Sequence, residues 1–130
     1  MIFRAARHTD NIDKITYFYT NVLGFEIIGE FEGHEGYDGV FIGPEGADWH
    51  LEFTTSRQQT EHKYDKDDIL VFYPATIDEY EEIIYRIKEK NISAVKPRNP
   101  YWAKNGIMIA DPDGFNVVIS SLRARQVKKL

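Results

Sequence analysis

A helix that leads directly into a strand is encoded in residues 11–25, which read NIDKITYFYTNVLGF. Apolar side chains recur there at helical spacing, which predicts an amphipathic helix over residues 11–23. We expect Thr9 or Asp10 to cap its first turn and Gly24 to end it. The aromatic residue after Gly24 then begins the first of several short strands.

The rest of the chain repeats one order of elements. Three β-rich runs separated by glycine turns follow the helix, at residues 25–31, 37–42 and 49–54. A strand, a second helix and three more strands come next, at residues 69–73, 76–90, 94–95, 106–110 and 115–121. The order β-α-β-β-β therefore occurs twice and predicts an α+β fold, with residues 56–67 linking the copies. Since each copy has too few strands to close a core, we expect one domain over residues 1–130, made of module 1 (2–57) and module 2 (67–122).

The composition excludes several classes of protein. Without cysteine, the chain has no disulfide framework, thiolate zinc site or cysteine nucleophile. Its net charge of −5 predicts repulsion of nucleic-acid phosphates and favours a neutral or cationic small molecule as the partner. No apolar run approaches the roughly 20 residues of a membrane span, and no signal peptide is recognisable, so we expect a cytoplasmic protein without a membrane partner.

Three stretches of the chain together resemble one superfamily. They are FYTNVLGF at residues 18–25, HLEFT at 50–54 and DPDGF at 111–115. In this order, inside a duplicated frame, they resemble the glyoxalase, bleomycin-resistance and extradiol-dioxygenase group, which is called the vicinal oxygen chelate (VOC) superfamily. The resemblance covers residues 2–122. It implies two modules whose mixed sheet curls around a central cavity, often in a homodimer.

The resemblance also bears on a metal site. Enzymes of this superfamily hold a divalent metal with side chains from four strands, and the matching positions here are Arg4, Glu52, Asp68 and Val118. Arginine and valine offer a metal no lone pair, so the resemblance implies that the site is not intact. We therefore expect no cofactor, although a divalent metal at a non-standard site stays open. We expect Arg4 to replace the metal electrostatically, in a buried ion pair with Glu52, Asp68 or both.

The strand at residues 49–54 carries the first candidates for chemistry. Its alternation places His50 and Glu52 on one face and Leu51 and Phe53 on the other. A histidine beside a carboxylate is typical of a general base or a ligand-binding pair, so both are candidate catalytic residues. A buried polar pair satisfied by backbone groups explains them equally well.

A glycine-rich turn at residues 33–39 carries the next candidates. His34 is a third candidate for acid–base chemistry, and Tyr37 and Asp38 are candidate ligand-binding residues at the rim of the cavity. The glycines themselves are explained by a tight turn with positive φ, without any function.

The corresponding turn of module 2, at residues 99–106, carries an aromatic pair. Tyr101 and Trp102 offer flat apolar surface to a ligand or to another subunit, and packing against the base of the loop explains them equally well. Because the two turns are equivalent in the two modules, we expect them to border one pocket.

Several functions follow from these features. The first is a protein that binds or acts on a small molecule without the metal of the superfamily. One alternative is a metal-dependent lyase, isomerase or dioxygenase that uses a non-standard site around His50 and Glu52. Another is a metal-free resistance protein that sequesters a drug, and a third is a dimeric interaction domain with a collapsed cavity. The sequence does not decide whether the protein is an enzyme.

Overall fold

The chain divides into two compact units, which we describe separately. The structure is a computed structural model and describes residues 1–126. The first unit is Met1–His62 and the second begins at Lys63, so the boundary falls inside the segment predicted to link the copies. No helix within residues 1–126 has the length and apolar character needed to cross a membrane.

The first unit is a four-stranded sheet with one helix packed on one face. Its elements are β1 (Phe3–His8), α1 (Ile12–Tyr17), a π-helical turn (Phe18–Val22), β2 (Glu26–His34), β3 (Tyr37–Gly43) and β4 (Trp49–Thr55). The strand order is β1-β4-β3-β2, with β1 parallel to β4 and the other pairs antiparallel. This is the β-α-β-β-β order that the sequence predicts.

The helical stripe and one face of the sheet form the core of this unit. Buried apolar side chains from the helix and from β3 and β4 build it: Ile15, Phe18, Tyr19, Val22, Leu23, Val40, Ile42, Leu51 and Phe53. The ring centroids of Tyr19 and Phe53 lie 4.9 Å apart. Because Leu51 and Phe53 face the helix, the side chains between them in β4 face the other side of the sheet.

The start of the first helix differs from the prediction. Asn11, rather than Thr9 or Asp10, is the N-cap residue, and its side-chain oxygen accepts a hydrogen bond from Lys14 N at 3.0 Å. Thr9 Oγ1 instead accepts from Asn11 N, and Asp10 binds Thr60. The helix therefore begins one residue later, because two neighbouring residues that can cap are occupied elsewhere.

The second unit has a three-stranded sheet. Its elements are β5 (Ile69–Phe72), α2 (Ile77–Glu89), α3 (Pro100–Asn105), β6 (Ile107–Ala110) and β7 (Asn116–Ile119). In the order β5-β7-β6, β5 is parallel and β6 antiparallel to β7. The buried side chains of this sheet and of α2 include Ile83, Ile87, Met108, Ile109, Val117, Val118 and Ile119.

Two predictions for the second unit are wrong. Residues 94–95 form no strand, and Val95 N makes a single backbone hydrogen bond to Met108 O, at 2.7 Å. Pro97 has no N–H to extend such a ladder. The predicted turn at residues 99–106 is the helix α3, which Asn99 caps through a hydrogen bond from Tyr101 N to its side-chain oxygen, at 3.0 Å.

Candidate functional site

The side of the first sheet that faces away from α1 gathers several polar and aromatic side chains, and we call it the Arg4 face. Strand alternation and measured contacts place on it Arg4 and His8 from β1, His50 and Glu52 from β4, Tyr37 and Phe41 from β3, and Phe31 from β2. Five of these are partly buried, while Arg4 and Tyr37 are exposed. The face therefore combines charge, hydrogen-bonding groups and apolar ring surface.

Arg4 lies at the centre of the polar contacts on this face. Its Nε donates a hydrogen bond to His50 Nε2 at 2.8 Å, and its Nη1 donates to Glu52 Oε1 at 3.4 Å. The strand register explains the geometry, because Arg4 lies opposite His50 and the small Ala6 lies opposite Glu52. The guanidinium carbon lies 4.7 Å from the ring centroid of Phe41. One arginine thus contacts a histidine, a carboxylate and an aromatic ring.

The ion pair of Arg4 and Glu52 is more exposed than the sequence predicts. The Arg4 side chain is 50% exposed and that of Glu52 is 12% exposed. An ion pair with one partner in water contributes roughly 0–1 kcal/mol to stability, well below the value for a buried pair. Its main effect is therefore to orient the Arg4 side chain on the sheet.

The hydrogen bond from Arg4 fixes the form of His50. Because Nε2 accepts from an arginine that stays protonated, its lone pair is engaged and the ring proton of the neutral imidazole lies on Nδ1. A protonated imidazole has no lone pair with which to accept this bond. In this arrangement His50 presents a donor at Nδ1 rather than a general base at Nε2. Its predicted catalytic role, like that of Glu52, stays a prediction.

The residues at the four metal-ligand positions of the superfamily do not fit a divalent metal. Arg4 has no lone pair for a metal and directs an N–H group at Glu52, another of the four, and Val118 is a buried apolar residue of β7. Among residues 1–126, no group of three or more His, Asp or Glu side chains is arranged to hold a metal ion. We therefore derive no chemical step through a metal at these positions.

Aromatic rings form a strip across the Arg4 face. The ring centroids of Phe31 and Phe41 lie 5.8 Å apart, and those of Phe41 and His50 lie 5.7 Å apart. Gly39 pairs with Phe31, and Gly29 pairs with Phe41, across the ladder between β2 and β3. A methyl group on Gly39 would come within 2.2 Å of the Phe31 ring, and one on Gly29 within 3.0 Å of the Phe41 ring. Each ring therefore rests on the glycine opposite it.

The hairpin between β2 and β3 is tighter than the predicted seven-residue turn. Only Glu35 and Gly36 form the turn, and both have positive φ, 51° and 87°, as a type I′ hairpin requires. His34 and Tyr37 are the last and first residues of the flanking strands. The His34 ring lies 6.2 Å from that of Phe31. The Tyr37 ring lies 6.2 Å from that of His8. The structure thus brings both predicted residues to the hairpin end of the sheet.

The remaining candidates serve other contacts or belong to the second unit. Asp38 Oδ1 accepts a hydrogen bond from Gly33 N at 2.9 Å, so Asp38 shapes the hairpin. In the second unit, Asp68 Oδ2 accepts from Asp65 N at 2.9 Å and closes a turn before β5. Tyr101 and Trp102 lie on α3 with their ring centroids 4.8 Å apart. That these residues bind a ligand, or that both turns border one pocket, stays a prediction.

The local pattern does not reveal the aromatic strip. It places Phe31 and Phe41 in β-rich runs, Gly29 inside the first of these runs and Gly39 in the glycine-rich turn. The available signal is a glycine two residues from a phenylalanine in both strands of one hairpin. Such spacing allows each ring to lie over the other strand, since residues two apart share a face.

Residues at the end of β1 and just after it form hydrogen bonds with the first part of the linker segment. Asp10 accepts two hydrogen bonds from Thr60, from its N at 2.9 Å and from its Oγ1 at 2.8 Å. His62 Nε2 donates to His8 O at 2.6 Å, and His8 Nε2 lies 3.0 Å from Ser56 Oγ. Residues 56–62 are thus attached to their own unit by side-chain contacts.

These contacts predict an acid-sensitive carboxyl group. The backbone N–H of Thr60, then its hydroxyl, hold the pKa of Asp10 below its ordinary value. The stabilisation of the folded protein by these two hydrogen bonds is therefore present above about pH 3.9, the pKa of an aspartate in the unfolded state. It is lost as pH falls through the lower pKa of Asp10 in the folded state. We expect Thr60→Ala to raise the pKa of Asp10 by removing one bond, as measured by carbon-detected NMR titration.

Thr20→Ala is the matched control, because the Thr20 hydroxyl donates to Thr16 O and does not contact Asp10. An Asp10 pKa at its ordinary value in the unmodified protein would contradict the assignment.

Comparison with known proteins identifies the family. The model of the YycE-like N-terminal domain matches residues 3–54, and that of the YycE-like C-terminal domain matches residues 67–121. Protein YycE of Bacillus subtilis strain 168 is 41% identical over 119 residues, which cover 88% of this chain and 84% of that protein. A crystal structure of a Bacillus subtilis YycE protein superposes with a TM-score of 0.83 at 37% identity, covering 99% of this chain and 93% of that chain.

More distant structures share the fold. The trypanothione-dependent glyoxalase I of Leishmania major has a TM-score of 0.70 at 19% identity, covering 92% of this chain and 85% of its own. The antibiotic-binding protein TnmS3 of Streptomyces sp. CB03234 has a TM-score of 0.65 at 20% identity, covering 98% of this chain and 96% of its own. Two YycE-like domains in sequence and a glyoxalase-type fold lead to one assignment: the chain belongs to the YycE-like family of the VOC superfamily.

Proposed function

We propose that this protein binds a small molecule on the Arg4 face and does so without a metal ion. The observation that carries the proposal is the position of Arg4, whose guanidinium donates to both His50 and Glu52. Arginine cannot ligate a metal, and here it donates to two side chains that could, His50 and Glu52. A permanent positive group therefore stands at a position in the sequence that the resemblance matches to a metal ligand of the superfamily.

Arg4 retains the capacity to bind a ligand. Of its five N–H donors, one on Nε and one on Nη1 are used, and within residues 1–126 the other three have no hydrogen-bond partner. Half of the side chain is exposed. An acceptor atom of a ligand can therefore bind Arg4 without displacing His50 or Glu52.

The geometry gives less support to catalysis. A lyase or isomerase in this superfamily fold needs a base, and both candidates beside Arg4, His50 through Nε2 and Glu52 through Oε1, accept hydrogen bonds from its guanidinium. A dioxygenase needs a redox metal, which the residues at the ligand positions do not fit. We therefore favour binding without turnover, as in a sequestering protein, and TnmS3 is an antibiotic-binding protein with the same fold. The homodimer and the cytoplasmic location expected from the sequence stay predictions.

Metal titration followed by native mass spectrometry tests the proposal. We expect the unmodified protein and Arg4→Met to bind Zn²⁺, Ni²⁺ and Mn²⁺ weakly. Arg4→His should bind Zn²⁺ more tightly, because it adds an imidazole beside His50 and Glu52. Loss of a residue that hydrogen-bonds to a metal ligand lowers metal affinity by about 10- to 100-fold. A new residue that binds the metal directly should therefore raise the Zn²⁺ affinity by at least about tenfold.

Arg4→Met is the matched control, since it removes the guanidinium without supplying a metal ligand of comparable strength. Stoichiometric metal in the unmodified protein, lost on Glu52→Gln, would overturn the proposal in favour of the metal-dependent alternative.

A further inference from the structure

We infer that the ligand is an uncharged, planar aromatic compound that carries a carbonyl oxygen. This inference rests on the proposed function and specifies the chemistry of the ligand. Three features of the Arg4 face carry it: the ring strip, the unused donors of Arg4, and the balance of charge around them.

The ring strip selects a flat aromatic partner. Phe31 and Phe41 rest on the glycines opposite them, so each ring lies close to the backbone with one side toward the sheet. The Arg4 guanidinium lies over the Phe41 ring, so the flat surfaces that a ligand can contact here are the Phe31 ring and that guanidinium. Aromatic groups gain affinity beyond simple burial from offset or edge contacts with such rings. Aliphatic ligands lack this contribution, because they have no ring quadrupole.

The unused donors of Arg4 select an oxygen acceptor. The guanidinium carbon lies over the Phe41 ring, 4.7 Å from its centre, and the Phe31 ring lies beside Phe41 with its centroid 5.8 Å away. A planar ligand that lies against Phe31 brings a substituent at its edge toward the N–H groups of Arg4. A carbonyl oxygen in the plane of the ligand accepts such hydrogen bonds with good geometry.

The charges on this face favour a neutral compound. Arg4 and Glu52 compensate each other, and His50 must be neutral to accept its bond from Arg4. A carboxylate at Arg4 would lie near the Glu52 carboxylate, on a chain with a net charge of −5. An ammonium group at the same place would lie against the exposed guanidinium. A carbonyl oxygen meets neither repulsion.

Four naphthalene probes separate these requirements. They share one ring system and differ only in the substituent: naphthalene has none, 2-acetylnaphthalene has a carbonyl, 2-naphthoate is anionic and 2-naphthylmethylamine is cationic at pH 7. Affinities are measured by titration of amide NMR spectra, which also report where each probe binds. We expect 2-acetylnaphthalene to bind about tenfold more tightly than naphthalene, and both charged probes to bind more weakly than 2-acetylnaphthalene.

Two variants separate the contributions of the Arg4 donors and of the aromatic ring to probe affinity. Arg4→Met should reduce the affinity for 2-acetylnaphthalene to that for naphthalene and leave naphthalene unchanged. Phe31→Leu should weaken both probes. Tyr85→Leu is the control, because it removes an exposed aromatic ring on α2 that lies outside the Arg4 face. Amide spectra of each variant establish that it is folded.

The results that would contradict the ligand class differ from the result that would contradict the proposed function. Tightest binding of 2-naphthoate with dependence on Arg4 would overturn the ligand class, while the metal titration would still support metal-free binding. Equal affinities for all four probes, or spectral changes confined to other parts of the chain, would also overturn it. Metal binding by the unmodified protein would instead overturn the proposed function itself.

Discussion

Replacement of Phe53 by alanine is expected to lower the free energy of unfolding by roughly 3–5 kcal/mol. Phe53 is 2% exposed and lies in β4, one of the two inner strands of the first sheet. Its ring packs against Tyr19, with centroids 4.9 Å apart, and the guanidinium carbon of Arg7 lies 5.1 Å from its centre. The variant removes apolar contact and leaves a cavity that neighbouring strands cannot close, because the interior is densely packed.

Phe31→Ala is the matched control for this experiment. It removes the same side chain from the other face of the same sheet, where Phe31 is only partly buried. We expect a loss well below that of Phe53→Ala, since less apolar surface is returned to water. Urea unfolding followed by circular dichroism measures the free energy of unfolding of both variants. Equal losses for the two variants would show that the Arg4 face contributes as much to the core as the helix-facing side.

Replacement of Gly106 by alanine is expected to destabilise the protein by roughly 1–3 kcal/mol, although it adds only one methyl group. Gly106 has an extended backbone, with φ at −178°, so the cost does not come from a disfavoured conformation. The methyl group would lie 2.7 Å from Val118 Cγ1 and 2.8 Å from Ile119 O. Both of these residues are fully buried, and the carbonyl belongs to the backbone of β7.

A hydrogen bond beside Gly106 increases the expected loss of stability in Gly106→Ala. Ser120 Oγ donates to Asn105 O at 2.6 Å, so the chain just before Gly106 is held against the end of β7. Gly29→Ala is the control, because its nearest neighbour is the partly exposed Phe41 ring at 3.0 Å, which is able to turn away. Thermal unfolding compares the two variants. A change smaller than about 0.5 kcal/mol for Gly106→Ala, within the range of ordinary surface substitutions, would contradict the steric argument.

Local pattern was sufficient to predict most of the fold. The spacing of apolar residues gives the two main helices, and the alternation in β4 correctly puts Leu51 and Phe53 in the core. The failures are short segments whose structure depends on neighbours. Val95 makes one backbone hydrogen bond, to Met108, and forms no strand. The helix α3 could have been predicted, because Asn99 is a capping residue and Pro100 follows it at the first helical position.

Alternation along one strand predicts part of the site, and the resemblance to the VOC superfamily predicts the contact of Arg4 with Glu52. That His50 and Glu52 share a face follows from a period of two residues. Contacts between strands depend on register, which no local pattern specifies here. Arg4 meets both residues because β1 aligns in parallel with β4, and its exposure depends on the surrounding surface. For the same reason the sequence did not reveal that Phe31 and Phe41 lie over glycines of the opposing strand.

The reciprocal arrangement of these two rings has an evolutionary consequence. Gly39 supports Phe31 and Gly29 supports Phe41, so each strand of the hairpin supplies one ring and one place for a ring. A side chain larger than hydrogen at residue 39 would clash with the present Phe31 ring, whereas one at residue 29 requires only that the Phe41 ring turn aside. Relatives that lose Gly39 should therefore lose the opposing aromatic ring as well, whereas relatives that lose Gly29 can keep theirs in a shifted position.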